Sequence, residues 1–541
     1  MKSMKYGVVY TPDSLATFVA GLLIDCIKST NSSVENVLDP ACGEGALLMA
    51  YKSVSNCDSR FWGIDIDDDV IQKNIAEYEV CKSDAILPKT QKTTKAYWQD
   101  RLPQIQAIIA NPPWSSEKIY DRGELRRAGF KLVDGQYDSY VLFIELAYNL
   151  LQDEGFFAFI IPDSLFDAQN ESLRRFLVEN TQIKVIARLG EKLFENINRA
   201  TTVLICQKKR PEIDSKTTCF RLSTDNRKKY LAGKQTLRFF YDKEKHEVMQ
   251  KRFKGNVSCN FDIDTRAAEE SLLEKIRKKT VAWDSIFKFG RGVEISKTGE
   301  VTICKKCHSA QGYTKKQYEN GKKKCSCCNK ETVVNSETIC QVVSDGYKKN
   351  YVKMIVGEDV HRYVCRPKHY IKNNVNGINY KSDTLYQSPK LLVRKTGLGI
   401  YAAIDYSYEK TSQTVYILKY LDEKNNVPLE YYLALLNSRV VYYFYLKVFG
   451  ENEWKSHPYL TKQIIFSFPI RQYVGDSLDE QIIEIATRIS HDYSYDLDME
   501  LENLIMQKYG LNEEDKRLII REMNSLPNLS SVNNMKYEVG A

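Results

Sequence analysis

Long uninterrupted apolar runs are missing from this chain of 541 residues. A membrane-spanning helix needs roughly eighteen or more such residues in succession. The most apolar late stretch, residues 431–449, is broken by Asn437, Arg439 and Lys447, and we interpret it as a packed helix. The start of the chain enters motif-bearing sequence at once, which leaves no space for a signal peptide. We therefore expect an intracellular protein.

An internal repeat of fixed period is also absent, and neither sign of charge dominates strongly. The formal net charge of +8 weakly favours a polyanionic partner. A hydrophobic content of 43% is enough for real cores, and the length predicts about two to four domains. Without a secretory signal, the 14 cysteines indicate a reducing compartment and point to a metal site in place of disulfides.

The stretch Asn111-Pro112-Pro113-Trp114 follows the apolar run 105–110, which predicts a buried strand. Open α/β sheets bind ligands beyond the carboxyl ends of such strands. Two prolines stiffen the backbone there, so the Asn oxygen and a rigid carbonyl can accept both protons of a planar NH2 group. Trp114 can offer its face for stacking. A strand-terminating turn is the alternative interpretation of these residues.

Residues 37–48 form a short hydrophobic strand, a glycine turn and the start of an apolar helix. This pattern predicts the first unit of a Rossmann-like sheet, although it is not a dinucleotide fingerprint. Gly43 and Gly45 lack a Cβ, so a ligand can approach the backbone closely. Residues 61–67 predict a second strand that ends in acids, and Asp65 is the candidate for binding the two hydroxyls of a ribose.

A third strand is predicted to end at Tyr97-Trp98-Gln99, with Asp100 as the candidate for contact with a cofactor base. Each acid alone is more often a solvated loop carboxylate. Their order after the glycine turn favours a common cofactor site over coincidence.

Cys304-x2-Cys307 and Cys325-x2-Cys328 are separated by 17 residues. This spacing is typical of a four-cysteine zinc ribbon, in which the metal is structural because no coordination position stays open. His308 and Cys327 lie beside these pairs and leave the ligand set slightly ambiguous. Free reduced thiols are the alternative.

Together these motifs resemble the S-adenosylmethionine-dependent DNA adenine-N6 methyltransferases in which the cofactor motif precedes the catalytic motif, similar to the TaqI-like and Eco57I-like modification methylases. Residues 6–12 resemble their N-terminal motif and implicate Thr11, and Phe194 matches a late aromatic residue that touches the flipped base. Trp114 departs from the commoner Tyr or Phe. The resemblance implies a cofactor site built from Thr11, Asp39, Ala41, Gly43, Asp65 and Asp100.

The resemblance also implies two domains. We expect a Rossmann-like catalytic domain over residues 1–245 and a mixed α/β target-recognition domain over residues 246–541, with a zinc ribbon inserted at about 300–332. Residues 389–395 and 434–438 resemble segments of the recognition domain in this family. The fold class is therefore α/β.

The implied function is site-specific transfer of a methyl group to N6 of a flipped adenine in double-stranded DNA, in the cytoplasm of a prokaryotic cell. The protein would serve a restriction-modification or other defence system, with any endonuclease on a separate chain, or act as an orphan methylase. Cytosine-N4 transfer and RNA adenine methylation are the closest alternatives, followed by protein glutamine methylation. A DNA-binding protein without enzymatic activity is a further alternative.

Overall fold

The computed structural model describes residues 11–55, 58–67, 77–114, 120–133, 138–194, 199–295, 298–422, 424–450 and 459–537. Contacts between these residues divide them into two compact units, with the division after Ala267. A short segment that begins at Lys447 belongs to the first unit.

One sheet forms the centre of the first unit, with the strand order β3-β2-β1-β4-β5-β7-β6-β8-β9 in the described residues. The strands are β1 Asn36–Asp39, β2 Arg60–Asp65, β3 Glu79–Lys82, β4 Ile105–Ala110, β5 Leu151–Pro162, β6 Gln182–Gly190, β7 Thr201–Gln207, β8 Lys216–Arg221 and β9 His246–Met249. Strands β1 to β5 are mutually parallel, and β7 runs antiparallel between β5 and β6. The carboxyl ends of β1, β2 and β4 therefore meet at one edge.

Helices cover both faces of this sheet because the strands are buried on both sides. They are α1 Asp13–Lys28, α2 Ala46–Ser55, α3 Thr94–Gln99, α4 Arg122–Arg127, α5 Tyr140–Leu150, α6 Glu171–Asn180, α7 Thr224–Leu231, α8 Leu237–Glu244 and α9 Gln250–Gly255. Leu38 and Ile108 face the core that contains α5 and α6, whereas Val37 and Ile109 face the core that contains α1 and α2. The two cores hold the strand ends rigidly in place.

The predicted third strand is wrong. Tyr97-Trp98-Gln99 lies in α3, which Thr93 caps, and the third strand is β3, Glu79–Lys82. The helix forms there because Trp98 is fully buried and its Nε1 donates to the Ala85 carbonyl oxygen over 2.9 Å. The domain boundary near residue 245 stays a prediction, and β9 extends the packing of the first sheet beyond that point.

Several small sheets make up the second unit, in which β11-β23-β20-β21 and β17-β19-β18-β22 are the larger ones. The strands are β10 Thr280–Val281, β11 Phe287–Arg291, β12 Glu300–Ile303, β13 Ala310–Gln311, β14 Lys322–Lys324, β15 Glu331–Val333, β16 Ile339–Gln341, β17 Val343–Ser344, β18 Tyr351–Ile355, β19 His369–Lys372, β20 Lys390–Arg394, β21 Ala402–Asp405, β22 Lys410–Thr411, β23 Val415–Tyr420 and β24 Ile470–Arg471. The pairs β12 with β13 and β14 with β15 carry the four cysteines at their ends.

The remaining helices are α10 Ala267–Arg277, α11 Lys315–Glu319, α12 Leu429–Asn437, α13 Arg439–Phe449, α14 Lys462–Phe466, α15 Ser477–His491, α16 Tyr495–Lys508 and α17 Glu513–Asn524. The apolar stretch expected to be one packed helix is two, with the break at Ser438. Ser438 is extended there, and the Asn437 side chain fixes the end of the first helix to β21 by bonding the Ala402 backbone at both the N–H and the carbonyl. Within the described ranges, every helix is too short or too polar to span a bilayer.

Candidate active site and metal centre

The glycine turn after β1 is bound to the end of β2. The Ala41 N–H donates to Asp39 Oδ1 and the Gly43 N–H donates to Asp65 Oδ2, each over 2.9 Å. The Cys42 N–H donates to the Ile64 carbonyl oxygen over 3.1 Å. The structure therefore brings four of the predicted cofactor residues, Asp39, Ala41, Gly43 and Asp65, into one cluster at the carboxyl edge of the sheet.

Gly43 and Gly45 adopt positive φ angles of 49° and 79°, which other residues rarely adopt. A Cβ on Gly45 would lie 2.3 Å from the Tyr78 hydroxyl oxygen, whereas a Cβ on Gly43 would meet none of the described residues within 4 Å. Gly45 is thus required by packing against Tyr78, and the described residues around Gly43 leave space in which a ligand can approach. Sequence reasoning missed Tyr78 because it comes from the segment before β3.

Asp39 and Asp65 make this cluster electrically unusual. Burial, together with the neighbouring Asp65 carboxylate, raises the pKa of Asp39 to about 8, against the opposing bond from the Ala41 N–H. A cation near the turn would favour the ionised form of Asp39 and so oppose both causes of its raised pKa. The turn is therefore suited to a ligand that carries positive charge.

Asp100 lies apart from these bonds. It follows the last residue of α3 and its carboxylate pairs with the Lys92 ammonium group, in an exposed position. The acid that follows β3 is Asp84, whose Oδ1 accepts the N–H groups of Ile86 and Leu87 and the Tyr120 hydroxyl. Sequence reasoning missed Asp84 because β3 is a half-exposed strand without an apolar run.

Asn111 follows β4 and lies against Thr11. Its Nδ2 donates to Thr11 Oγ1 over 3.0 Å, which orients the amide so that Oδ1 points to the opposite side. Ser139 Oγ donates to the Pro113 carbonyl oxygen, and Arg199 donates to that of Trp114 over 2.7 Å. In the described part of the chain, no donor reaches the Pro112 carbonyl oxygen.

A polar network supports this loop from behind. Arg199 pairs with Asp138 over 2.9 Å, and Ser164 Oγ donates to the same carboxylate over 2.7 Å. Sequence reasoning missed Asp138, Ser139 and Arg199 because they come from two segments, residues 138–139 and the residues before β7, that lie apart from the loop in the sequence. Their contacts hold the loop carbonyls in fixed directions.

Trp114 is buried beside Phe194. Its Nε1 donates to the Ile160 carbonyl oxygen over 3.3 Å, and its ring meets the Phe194 ring edge-to-face, with the centroids 5.2 Å apart and the planes at 86°. The structure therefore brings together the two aromatic residues that the sequence implicated in binding a base. Residues 6–10 of the N-terminal motif lie outside the described residues.

The Sγ atoms of Cys304, Cys307, Cys325 and Cys328 all lie within 4.8 Å of one another. The distance from Cys304 to Cys328 is 3.9 Å, and that from Cys307 to Cys325 is 3.7 Å. Four thiolates around a tetrahedral Zn²⁺ at about 2.3 Å are separated by about 3.8 Å, so the cluster has the dimensions of a zinc site.

Two equivalent turns present these thiols. The His308 N–H donates to the Cys304 carbonyl oxygen and the Asn329 N–H to that of Cys325, and both residues have positive φ angles. Bonds from the Cys328 N–H and from the Ser309 hydroxyl lower the pKa of Cys325 to about 5, which favours the thiolate that metals bind. His308 and the exposed Cys327 stand outside the cluster.

The mixed sheet, with its glycine turn and Asn-Pro-Pro-Trp loop at the carboxyl ends of the parallel strands, is typical of Rossmann-like methyltransferases. Residues 1–279 match the family described as N-6 DNA Methylase, and residues 352–470 match the TaqI-like C-terminal specificity domain. The chain belongs to the N-6 DNA methylase family, since that match covers more than half of it. The family and fold class expected from the sequence are confirmed.

Individual relatives of the chain have low sequence identity to it. The chain is 29% identical over 216 residues to the type II methyltransferase M.BanIII of Aneurinibacillus aneurinilyticus, which covers 36% of this chain and 37% of that protein. It is 25% identical to the type II methyltransferase M.TthHB8I of Thermus thermophilus over 34% of this chain and 41% of that protein. The chain thus aligns with less than half the length of these relatives.

A solved structure shares the fold over most of the chain. A nuclease-deletion mutant of the type ISP restriction-modification enzyme LlaGI, in complex with a DNA substrate mimic, has a TM-score of 0.54 at 15% identity. The alignment covers 92% of this chain and 56% of that one.

Proposed function

We propose that the protein is an adenine-specific site-specific DNA methyltransferase, EC 2.1.1.72. It transfers a methyl group from S-adenosylmethionine to N6 of an adenine rotated out of double-stranded DNA. The observation that carries this proposal is the loop after β4, where Asn111 is oriented by Thr11 and lies on the same sheet edge as the glycine turn. The DNA substrate mimic bound by LlaGI and the modification enzymes among the relatives support DNA as the substrate.

Asn111 Oδ1 and the Pro112 carbonyl oxygen accept one hydrogen bond each from the adenine amino group. These two bonds orient the lone pair of the amino nitrogen toward the methyl donor. The two acceptors stabilise the positive charge that develops on that nitrogen before a proton leaves to solvent. Trp114 stacks on the base while Phe194 meets it from the side, and the right angle between their rings suits both contacts.

Bound S-adenosylmethionine supplies the methyl group. Asp65 would accept hydrogen bonds from the ribose hydroxyls, Gly43 would allow close approach of the ligand, and Asp39 would contribute the negative charge that a cationic cofactor requires. Thr11 and Ala41 complete this part of the site, and Asp100 is the candidate taken from the sequence for the cofactor base. The same reasoning, applied to the observed third strand, makes Asp84 a second candidate.

The four cysteines bind one structural Zn²⁺ that shapes the specificity domain, and double-stranded DNA is the macromolecular partner. The protein acts in the cytoplasm of a prokaryotic cell, as the modification part of a restriction-modification or other defence system or as an orphan methylase, and any restriction endonuclease belongs to a separate chain.

Sequencing that detects modified bases, applied to DNA from a methylase-deficient host that expresses the protein, tests the function. We expect N6-methyladenine at one recurring sequence, and none in a host that expresses the Asn111→Ala variant. Methylation of cytosine N4, or of RNA with the DNA unmodified, would contradict the proposal.

We expect Asp65→Ala to raise the dissociation constant for S-adenosylmethionine by roughly 10- to 100-fold, because a charge-assisted acceptor of the ribose is lost. Isothermal titration calorimetry measures this change. Asp67→Ala is the matched control, since it removes a carboxylate two residues away. If Asp67→Ala weakens binding and Asp65→Ala does not, the ribose contact belongs to Asp67.

We expect the affinity for S-adenosylmethionine to rise with pH up to about 8, approaching tenfold per pH unit, because the bound cation requires ionised Asp39. The raised pKa has the opposite effect on the cofactor-free protein: its stability contribution is complete below about pH 4 and is lost as pH rises through about 8. Calorimetry from pH 6 to 9 checks the binding. Asp39→Asn should flatten the profile, and an equal slope in that variant would remove Asp39 from the explanation.

A further inference from the structure

A cavity of about 510 Å³ lies within the second unit and has no part in the function proposed so far. Pockets for small ligands usually enclose about 300 to 1,000 Å³, so one nucleotide-sized ligand fits this volume. The residues that give the cavity its chemical character are His361, Arg366, Arg394, Tyr401, Tyr493 and Ser531.

The lining is positively charged. Among the described residues that line the cavity, none is an Asp or Glu. Arg362 pairs with the buried Asp498, which it shares with Arg439, but no carboxylate in the described part of the chain pairs with Arg366 or Arg394. An anion that entered the cavity would therefore meet two guanidinium groups with their charge uncompensated.

Arg394 is held in place before any ligand arrives. It ends β20, its Nε donates to the Thr396 carbonyl oxygen over 2.6 Å, and its guanidinium lies 5.3 Å from the centroid of the Tyr401 ring. Gly397 has a φ of 111°, and a Cβ there would come within 3.2 Å of the Arg394 guanidinium. The glycine turn thus permits a fixed arginine position, which reduces the entropic cost of binding.

We propose that this cavity binds the phosphate group of a nucleotide, and that Arg366 and Arg394 donate hydrogen bonds to that phosphate. A guanidinium group matches the geometry of phosphate oxygens and can donate two parallel hydrogen bonds. Tyr401 and Tyr493 form apolar walls for the sugar or base, and the hydroxyl of Ser530, which also lines the cavity, can donate a hydrogen bond to the ligand. The phosphate belongs either to the backbone of bound DNA or to a free nucleotide, because both present the same chemistry.

Protonation of the His361 side chain is coupled to this binding. Burial lowers its pKa, and the positive charges of Arg366, Arg394 and Lys368 lower it further, while Asp359 opposes them. A bound phosphate reverses the effect of the arginines, so binding is coupled to proton uptake and strengthens as pH falls.

Calorimetric titration of the full chain with deoxyadenosine monophosphate, and with uncharged deoxyadenosine as the comparison, tests the free-nucleotide source. We expect Arg366→Gln and Arg394→Gln each to weaken monophosphate binding at least tenfold. Lys349→Gln, which removes an exposed charge outside the cavity lining, should leave that binding unchanged. His361→Gln should reduce the strengthening of binding between pH 8 and pH 6.

The backbone source is tested by measuring duplex DNA affinity as a function of salt. If a backbone phosphate occupies the cavity, Arg366→Gln should reduce the slope of log affinity against log salt by about one. A change in either titration supports the inference and identifies the source. Unchanged monophosphate binding together with an unchanged salt slope, in both arginine variants, would overturn it.

The DNA titration rests on the proposed function, whereas the nucleotide titration does not. If the wild-type protein binds the monophosphate but transfers no methyl group, that result would count against the proposed function alone. Arg366→Gln is the cleaner variant, because its side chain makes no hydrogen bond or ion pair among the described residues that the substitution would remove. Equal zinc content and equal melting temperature would establish that both variants fold.

Discussion

Asn111→Ala is expected to lower the rate of methyl transfer on the order of 10²-fold or more. The replaced amide oxygen is one of two acceptors needed as positive charge develops on the attacking nitrogen. Cofactor and DNA affinities should stay within about twofold of wild type, because the acceptor acts mainly in the transition state. Single-turnover assays with tritiated cofactor, alongside calorimetry, separate the two quantities.

Asn180→Ala is the matched control, since Asn180 ends α6 and its side chain bonds the Phe176 carbonyl oxygen. It should transfer methyl groups at the wild-type rate. Thr11→Val should give an intermediate loss of rate, because it removes the acceptor that orients the Asn111 amide. Wild-type turnover by Asn111→Ala would rule out this role for the loop.

Replacement of Cys304 and Cys307 by Ser is expected to reduce bound zinc from about one equivalent to less than about a tenth. Binding of structural zinc contributes on the order of 10 kcal/mol to the folding of small zinc domains, so the ribbon should unfold. DNA affinity should fall on the order of tenfold or more. Cofactor affinity should survive, because the first unit has its own cores.

Cys327→Ser provides the control for the zinc prediction. Cys327 lies in the same turn as two proposed ligands, but it is exposed and outside the thiol cluster. Its substitution should preserve both zinc and DNA affinity. Elemental analysis together with gel-shift titration checks these results, and a full equivalent of zinc in the double variant would exclude the four-cysteine site.

The prediction of a third strand at residues 97–99 was wrong because tertiary contacts decided the local conformation. The segment Tyr97-Trp98-Gln99 is rich in aromatic residues, which are common in strands. Its conformation is set by the burial of Trp98 and the bond of its indole nitrogen to Ala85, both of which are tertiary. The true third strand has few apolar residues because only part of it is covered.

The sequence by itself determined the strand that leads into Asn111, the glycine turn beside Asp39 and the two cysteine pairs. Each depends on backbone geometry or ligand spacing within a few residues, which a sequence records directly. Tertiary structure alone decided that Thr11 orients Asn111, that Arg199 and Ser139 hold the loop carbonyls, and that Phe194 stands at a right angle to Trp114. It also assembled the cationic cavity around Arg366 and Arg394. These contacts join residues far apart in the chain, and their partners are selected by packing, which no local pattern encodes.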